Sequence, residues 1–408
     1  MNESARYQEC KRYISDHVRQ KIDLSREVED SEIQEIIDSM IVQVGRKYAL
    51  SLRERQELGK SVFYSIRKLD VLQELVDCDE VTEIMVNGTE SVFVEKSGCI
   101  FRWDKRFETQ EKLEDVIQQI VAKCNRVVNE ASPITDARLE NGSRVNIVLA
   151  PVALNGPVIT IRRFPKHPIT MESLLNYGSI SQQAAEELER LVIAGYNIFI
   201  SGGTGSGKTT FLNALSHYIP KTERIITIED SAELQLQEIP NLVRLETRNA
   251  NMDGVRPITI RDLIKSTLRM RPDRIIVGEV RGGEAIDMLQ ALNTGHDGSL
   301  STGHANSSKD MLARLETMVL MGMELPLSAV RRQIASGVDI IVHLGRLRDK
   351  SRRVLEIVEI LSCENNEIVT APLYQFQESG EKDGIVVGEL VKVNTLTHTG
   401  KLKASGVR

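Results

Sequence analysis

Residues 196–215 read Tyr-Asn-Ile-Phe-Ile-Ser-Gly-Gly-Thr-Gly-Ser-Gly-Lys-Thr-Thr-Phe-Leu-Asn-Ala-Leu. The first five residues are a mainly apolar run that predicts a buried strand, and the last five predict the first turns of a helix. Between them, Gly202 to Thr209 have the spacing of a phosphate-binding loop. In such a loop, successive backbone N–H groups face an anion at the N-terminus of the following helix. The stretch therefore predicts a strand, a phosphate-binding loop and a helix of an α/β fold.

The side chains of this loop indicate its ligand. Lys208 is expected to reach the β and γ phosphates of a nucleoside triphosphate, and Thr209 is expected to offer its hydroxyl to a magnesium ion. A chance match in a structural glycine turn is the alternative, but the flanking strand and helix favour the nucleotide. We therefore expect the chain to bind ATP and Mg²⁺. The predicted nucleotide-binding residues of the loop are Gly202, Gly203, Thr204, Gly205, Ser206, Gly207, Lys208, Thr209 and Thr210.

The composition is that of a globular protein with more than one domain. A chain of 408 residues exceeds a typical single core, so we expect two or three domains. Hydrophobic residues make up 41%, and no uninterrupted apolar stretch has the length that a membrane-spanning helix requires. The start, Met1 to Ser4, lacks the basic and then apolar order of a signal peptide. These features predict a cytoplasmic protein whose membrane contact is peripheral.

Charge and cysteine content exclude several classes of partner. The formal net charge of −6 disfavours broad attraction to nucleic acid, although a local basic groove remains open. The five cysteines have no paired spacing of the kind found in zinc sites or disulfide frameworks. We therefore expect free thiols in a reducing compartment and no zinc. The cysteines are Cys10, Cys78, Cys99, Cys124 and Cys363.

The N-terminal part of the chain has a helical pattern. From residue 1 to 75, apolar residues recur every three or four positions, which predicts a small helical bundle. Asp30 and Ser31 are candidate caps of one helix, and Ser51 with Glu54 has the spacing of a capping box. The apolar stripes could instead form a docking face for a partner, but packing against each other is the simpler use.

The pattern then changes to short strands. Within residues 76–163, Asn-Gly pairs at 87–88 and 141–142 and a Ser-Gly pair at 97–98 predict tight turns between strands. Apolar residues at helical spacing in 113–121 predict one amphipathic helix between these hairpins. This segment is therefore expected to form a compact α+β domain.

A linker and a second pattern follow. Residues 164–177 contain Pro165 and Pro168, which stiffen the backbone without continuing a sheet. From about residue 178, strand and helix patterns alternate, which predicts a parallel sheet. Extra strands are expected near the C-terminus, with a loose tail after Thr395. The predicted division is 1–75 helical bundle, 76–163 α+β domain, 164–177 linker, 178–345 P-loop domain and 346–408 β appendage and tail.

Polar residues follow three of the later predicted strands. Glu229 and Asp230 follow one strand, Glu279 follows the next, and His304 follows the third. Ligands of open α/β sheets bind at the carboxyl ends of the strands, so we expect these side chains to converge on the nucleotide. Capping of the following helices is the alternative for the acids, but it is a poor explanation for three acids that each follow a β run.

These residues suit hydrolysis of the γ phosphate. This reaction requires a magnesium ion, a group that aligns the attacking water, and a positive charge that stabilises the transition state. Glu279 suits the magnesium shell or the attacking water, Glu229 suits the complementary task, and either can act as general base. His304, between glycines, is a candidate sensor of the γ phosphate. His217 and His343 are interpreted as structural. The predicted catalytic residues are Glu279, Glu229 and His304, and the predicted magnesium ligands are Thr209 and Glu279, partly through water.

Four segments in fixed order resemble the secretion ATPase superfamily of type II and type IV secretion systems and type IV pili. The upstream segments 136–146 and 160–164 resemble the CpaF branch, which drives assembly of Tad (Flp) pili. The chain lacks the four-cysteine zinc insertion common in type II secretion and pilus-extension members, which favours the CpaF and conjugation-like branches. The four segments are 202–209, 226–234, 271–281 and 301–306.

The resemblance implies a fold and an assembly. The fold is a RecA-like P-loop ATPase domain preceded by a small α+β (PAS-like) domain and an N-terminal helical bundle. The implied assembly is a homohexamer on the cytoplasmic face of the membrane, with a polytopic inner-membrane platform protein as partner. Arginines of the smaller domain are implied to close over the phosphates, for which a bidentate guanidinium is suited. The candidates are Arg138, Arg144, Arg162 and Arg163.

Three functional classes follow from these motifs. The first is a motor that moves protein subunits, the second is a conjugation-type DNA-transfer ATPase, and the third is a nucleotide-gated scaffold with little hydrolysis. The acidic balance and the absence of interleaved aromatic and basic residues disfavour nucleic acid. One basic cluster before the second acidic strand is expected to face a neighbouring subunit or the nucleotide. It comprises Arg261, Lys265, Arg269, Arg271 and Arg274.

Overall fold

The chain divides into two compact units, residues 1–166 and 167–408. The computed structural model describes residues 3–22, 26, 28–96, 98–124, 126–164, 168–236, 238–248 and 256–407, with residues 3–5 described by their backbone alone. The predicted linker residue Pro165 and the predicted turn residue Ser97 lie outside the described residues.

The first unit begins with α-helices that share a core. Ile14, Ile37 and Leu58, one from each of the first helices, are fully buried in that core. Their burial follows from the helical spacing of apolar residues, which places one stripe of each helix against the others. The helices are α1 Glu3–Lys21, α2 Asp30–Lys47, α3 Leu52–Arg67 and α4 Gln73–Asp77.

Two predicted helix starts had different outcomes. The capping box is confirmed: Glu54 N–H donates to Ser51 Oγ at 3.2 Å, and Ser51 N–H donates to the Glu54 carboxylate at 2.7 Å. The predicted caps of α2 are wrong, because its N-cap is Glu29 and Asp30 is already helical. Asp30 instead pairs with Arg67 of α3 at 2.7 Å, so its carboxylate serves helix packing.

The same unit continues into an antiparallel sheet. In the part of the unit that the structure describes, six strands form this sheet in the order β3-β2-β1-β6-β5-β4. The predicted turns at 87–88 and 141–142 join β1 to β2 and β4 to β5, and the predicted helix is present as α5 Gln110–Lys123. Its buried residues pack against one face of the sheet. The strands are β1 Val81–Asn87, β2 Ser91–Lys96, β3 Cys99–Arg102, β4 Ile134–Arg138, β5 Arg144–Val148 and β6 Val158–Arg162.

The second unit is built on a larger, mainly parallel sheet. Nine strands of its described residues pair in the order β15-β14-β13-β12-β7-β11-β10-β8-β9. The strands from β12 to β9 in this order are parallel, as the alternation of strand and helix patterns predicts. The strands are β7 Ile198–Gly202, β8 Ile225–Glu229, β9 Leu242–Glu246, β10 Arg274–Val277, β11 Leu300–His304, β12 Ile340–Arg346, β13 Arg352–Glu364, β14 Glu367–Lys382 and β15 Ile385–Lys392.

Helices cover both faces of this sheet. Every residue of β7, β8 and β10 is buried, which is the reason that these strands appear in the sequence as continuous apolar runs. The helices are α6 Met171–Asn176, α7 Gln182–Ile193, α8 Lys208–Ser216, α9 Ile260–Thr267, α10 Ala285–Leu292, α11 Ser308–Gly322, α12 Leu327–Gly337 and α13 Gly400–Ser405.

The C-terminal strands extend the large sheet, and the tail after them packs against it. Strands β13, β14 and β15 continue the large sheet by antiparallel pairing from β12. The prediction of a loose tail after Thr395 is wrong. The buried Glu359 carboxylate accepts N–H groups from Thr397 at 2.8 Å and His398 at 2.7 Å, and Lys401 contacts Asp297 and Asp339, each at 2.7 Å. A buried carboxylate requires such donors, and the tail provides them.

The predicted basic cluster does not form one surface. Arg274 is 2% exposed, and its guanidinium pairs with Glu223 and donates to Val192 O at 2.6 Å. Arg261 pairs with the buried Asp287 at 2.6 Å. The expectation that Arg274 faces a neighbouring subunit or the nucleotide is therefore wrong, since its charge is used inside the second unit.

We expect Arg274→Met to lower the free energy of unfolding by about 3 kcal/mol, because removal of one partner leaves Glu223 and buried carbonyl groups unpaired. Urea unfolding followed by circular dichroism measures this change. Arg269→Met is the matched control, since Arg269 is exposed on the same segment and should change the free energy by less than about 0.5 kcal/mol. Equal stability of the two variants would contradict the structural role of Arg274.

Candidate active site

The carboxyl ends of the parallel strands bring several predicted residues to one rim of the large sheet. Strand β7 ends in Gly202 and leads into the glycine loop, and β11 ends in His304, which pairs with Gly202 in the ladder. Glu279 follows the end of β10, the next strand. Strand order therefore places the loop, the histidine and this acid side by side.

The loop has the backbone geometry that its glycines allow. A Cβ atom on Gly202 would lie 2.5 Å from both Leu344 O and Ser206 Oγ, so no larger residue fits there. Gly207 is the N-cap of α8 with φ of 93°, in the left-handed region that favours glycine. Helix α8 begins at Lys208 without a side-chain cap, so its first N–H groups can serve an anion.

Lys208 is the centre of the cluster. Its ammonium donates to Gly202 O at 3.1 Å and to Gly203 O at 3.0 Å. It also lies 3.2 Å from Nδ1 of His304. Because an ammonium can only donate, Nδ1 must accept, and the imidazole proton is on Nε2.

His304 connects this lysine to Glu279. Its Nε2 lies 2.8 Å from Glu279 Oε1. Burial, and then the charge of Lys208, lower the pKa of His304, so the imidazole is neutral at pH 7. The neutral ring therefore lies between an ammonium and a carboxylate, with Nδ1 accepting from Lys208 and Nε2 facing Glu279.

Arg281, which the sequence analysis assigned no role, extends the chain of contacts. Its Nη2 donates to Glu279 Oε2 at 2.6 Å, and its Nη1 lies 3.5 Å from Asp230 Oδ2. Both carboxylate oxygens of Glu279 therefore have a cationic or imidazole neighbour, and the hydrogen bond from Arg281 to Oε2 orients the side chain. The sequence signal that could have predicted this contact is the position of Arg281, two residues after Glu279.

Glu279, Arg281 and His304 line one cavity of about 720 Å³, the volume of a small-molecule site. Arg314 of α11 also lines the cavity and was not predicted, because nothing in its local sequence distinguishes it from a surface residue of an amphipathic helix. The lining includes Gly203, Thr204, Glu279, Arg281, His304 and Arg314.

Glu229 has a different environment from Glu279. It is 3% exposed, and its Oε1 accepts N–H groups of Glu233 and Leu234, both at 2.8 Å. Strand β8 lies three positions from β7, roughly 14 Å at a spacing of about 4.8 Å per strand. The structure thus does not bring Glu229 into the Lys208 cluster, contrary to our expectation, and the carboxylate holds the loop after β8.

A family model described as "Type II/IV secretion system protein" matches residues 67–395. The chain belongs to this family. It is 34% identical to the conjugal transfer protein TrbB of Rhizobium radiobacter, over 77% of this chain and 95% of that protein. It is 33% identical to the type IV secretion system protein VirB11 of Brucella suis, over 68% of this chain and 84% of that protein.

The solved structure of the Legionella pneumophila ATPase DotB has a similar fold, with a TM-score of 0.51 and 20% identity, covering 72% of this chain and 80% of that chain. The predicted membership in the type II/IV secretion and type IV pilus ATPase superfamily is confirmed, as is the mixed α/β fold class with a RecA-like P-loop domain. The chain is an ATPase of this family.

In this secretion ATPase, three of the predicted arginines lie in one row of the smaller sheet. Arg144 on β5 is the ladder partner of both Arg138 on β4 and Arg162 on β6. Directly paired residues of neighbouring strands project from the same face. Acids accompany this row: Glu83 on β1 is the ladder partner of Arg162, and Asp136 lies 3.7 Å from the Arg144 guanidinium.

Arg163 of the secretion ATPase is used differently. It is largely buried, with a side chain that is 7% exposed, and its guanidinium donates to the backbone carbonyls of Cys78 and Val81. It also lies 3.8 Å from Asp79. These contacts are those of a structural arginine within the first unit.

Among the helices that the structure describes, none is both long enough and apolar enough to cross a bilayer.

Glu229 provides a pH-dependent prediction. Burial raises the pKa of Glu229 to about 7 from the ordinary 4.5. The folded state therefore holds a proton that the unfolded state releases in this window, so stability falls as the pH rises from about 4.5 to about 7. In Glu229→Gln, an amide oxygen can still accept both N–H groups. Relative to this variant, we expect the free energy of unfolding of the wild type to fall by on the order of 3 kcal/mol across this pH range.

Urea unfolding at pH 5, 6, 7 and 8 measures this difference. Glu389→Gln is the control, because Glu389 is exposed on β15, and its curve should run parallel to that of the wild type. If the free energies of unfolding of Glu229→Gln and the wild type depend on pH in the same way, burial does not raise the pKa of Glu229.

Proposed function

We propose that this chain is a hexameric motor on the cytoplasmic face of a membrane machine, in which ATP hydrolysis moves protein subunits. Among the branches of the superfamily, we assign it to the CpaF type, which assembles Tad (Flp) pili. The observation that supports a hydrolytic motor is the continuous row of contacts from Lys208 through His304 to Glu279 and Arg281 beside the glycine loop. The hexamer, the membrane location and the platform partner are proposed from the resemblance.

The residues present fit ATP and Mg²⁺. The open glycine positions of the loop and the uncapped start of α8 suit a triphosphate, since a Cβ on Gly203 or Gly205 would meet nothing within 4 Å. Thr209 and Glu279 would hold the magnesium ion, Glu279 partly through water. When bound, the ion neutralises charge that develops on the phosphate oxygens.

Within this proposal, Glu279 is the general base. Its carboxylate lines the cavity, Arg281 donates to its Oε2, and its Oε1 accepts no hydrogen bond within the described residues, so Oε1 can align a water molecule. His304 is the link between Lys208 and this base, because the imidazole contacts both. A shift of the Lys208 ammonium toward a γ phosphate would therefore change the environment of Glu279.

Mechanical output is proposed to come from the row of Arg138, Arg144 and Arg162. A row of guanidinium groups can bind phosphate oxygens in bidentate fashion, and release of the γ phosphate would remove their anionic partner. The location of all three arginines in one row of the sheet supports this use.

Turnover in Glu279→Gln tests the catalytic assignment. We expect the variant to bind ATP with an affinity close to that of the wild type and to hydrolyse it about 10² to 10⁴ times more slowly, the usual range for loss of a general base, which corresponds to about 3 to 5 kcal/mol. A phosphate-release assay and a nucleotide-binding titration measure the two quantities.

Glu324→Gln is the control for that experiment, since Glu324 is exposed in the turn between α11 and α12. Unchanged turnover in Glu279→Gln would remove Glu279 from the mechanism. A wild-type chain that binds ATP without hydrolysing it would instead support a nucleotide-gated scaffold.

A conjugation-type DNA-transfer ATPase is the second candidate. The observation in its favour is the 34% identity to the conjugal transfer protein TrbB over 95% of that relative. Against it, Arg274 and Arg261 of the predicted basic cluster are paired with acids inside the second unit. Steeply salt-dependent DNA binding that raises ATP turnover would favour this candidate.

Crosslinking in cells distinguishes the two candidates. Photoreactive residues at Tyr13, Val42 and Leu52, which are 44%, 48% and 74% exposed, sample the N-terminal helices. We expect capture of a polytopic pilus platform protein. Capture of a DNA coupling protein would overturn the pilus assignment in favour of conjugation.

A further inference from the structure

The hairpin of β12 and β13 contacts the glycine loop at successive points. His343 Nδ1 on β12 lies 2.8 Å from Ser201 Oγ, at the end of the strand that enters the loop. The carbonyl of Leu344 occupies the space next to Gly202. Arg352, the first residue of β13, donates its Nε–H to Gly205 O at 2.8 Å. One hairpin therefore contacts the loop from its start to its middle.

The bond from Arg352 fixes one peptide plane of the loop. In a planar trans peptide, the C=O of one residue and the N–H of the next point in opposite directions. Holding Gly205 O therefore orients the N–H of Ser206 to the other side, where it donates to Gly203 O at 3.3 Å. The side chain of Arg352 also packs beside Gly207: its Cδ would lie 3.5 Å from a Cβ atom on that residue.

The backbone from which Arg352 extends is itself anchored. The Asp349 carboxylate accepts the N–H of Ser351 and the N–H of Val386, both at 2.9 Å. The next residue, Arg353, donates to Gly178 O, and its guanidinium lies 5.7 Å from the centre of the Phe376 ring. A bond from a rigid turn restrains its partner more than a bond from a mobile side chain does, because little conformational freedom remains to be lost.

We propose that Arg352 is a positioning residue of the ATPase, which holds the glycine loop in the conformation that binds the phosphates common to ATP and ADP. The inference rests on the assigned ATPase activity and adds a residue from outside the four family segments. Arg352 acts through the loop backbone, so its contribution is equal for both nucleotides and for ground and transition states.

Two alternatives predict different behaviour. A direct contact between Arg352 and the γ phosphate would favour ATP over ADP. Long-range attraction by the positive charge alone would be retained by lysine, which lacks the rigid planar donor group. The relative affinities for ATP and ADP, and the effect of lysine at this position, therefore separate positioning from the other two roles.

The test compares Arg352→Met with Arg348→Met in the full chain. Arg348 lies in the same turn and pairs with Glu378 and Glu381 on β14, away from the loop, so it is a matched control. We expect Arg352→Met to raise the dissociation constants of ATP and ADP about tenfold each, and the KM for ATP likewise, with kcat within about threefold of the control. Melting temperatures of the two variants should agree, because both side chains are exposed.

Arg352→Lys should recover less than half of the lost affinity on a logarithmic scale. Affinities equal to those of Arg348→Met, a loss confined to ATP, or full recovery by lysine would each overturn the proposal. A wild-type chain that binds neither nucleotide would instead contradict the ATPase assignment itself, so the two failures are distinguishable.

Discussion

The candidate active site depends on the hydrogen-bond acceptors around the Lys208 ammonium. Lys208 is only 8% exposed, and a buried cation is stable only where several acceptors surround it. Two carbonyl groups of the loop and the Nδ1 atom of His304 supply those acceptors. The loop carbonyls come from the end of β7 and the imidazole from the end of β11, so the cluster exists only if these two strands are parallel neighbours. The same contact fixes the tautomer of His304 and thereby the nitrogen that faces Glu279.

Much of this arrangement was predictable because its signals are local. The glycine loop and the apolar runs of β8 and β10 with the acids after them are each encoded within a few positions. Burial on both faces of the sheet explains these apolar runs. The capping box at Ser51 and the Asn-Gly turns were predictable for the same reason. The meeting of His304 and Glu279 at the loop followed from the general rule for ligand sites in parallel sheets.

The remaining features depend on strand order and on distant segments, which local patterns do not encode. Glu229 has the same sequence context as Glu279, yet β8 lies one strand farther from the loop than β10 and its carboxylate serves its own loop. His343 resembled an ordinary structural histidine, and only the pairing of β12 with β7 brings it to Ser201. Arg352 is separated from Gly205 by 147 residues, so its contact with the loop required the structure.

The end of the chain closes the opposite rim of the sheet. Asp297 and Asp339 precede β11 and β12, Glu359 on β13 is the ladder partner of the first residue of β12, and residues 397–401 contact all three acids. The glycine loop and residues 397–401 thus lie at opposite rims of a parallel sheet whose strand β7 is five residues long. A reporter dye or affinity handle attached after Ser405 would therefore lie at the rim opposite the glycine loop, while removal of residues 397–408 would take away the groups through which the tail contacts these three carboxylates.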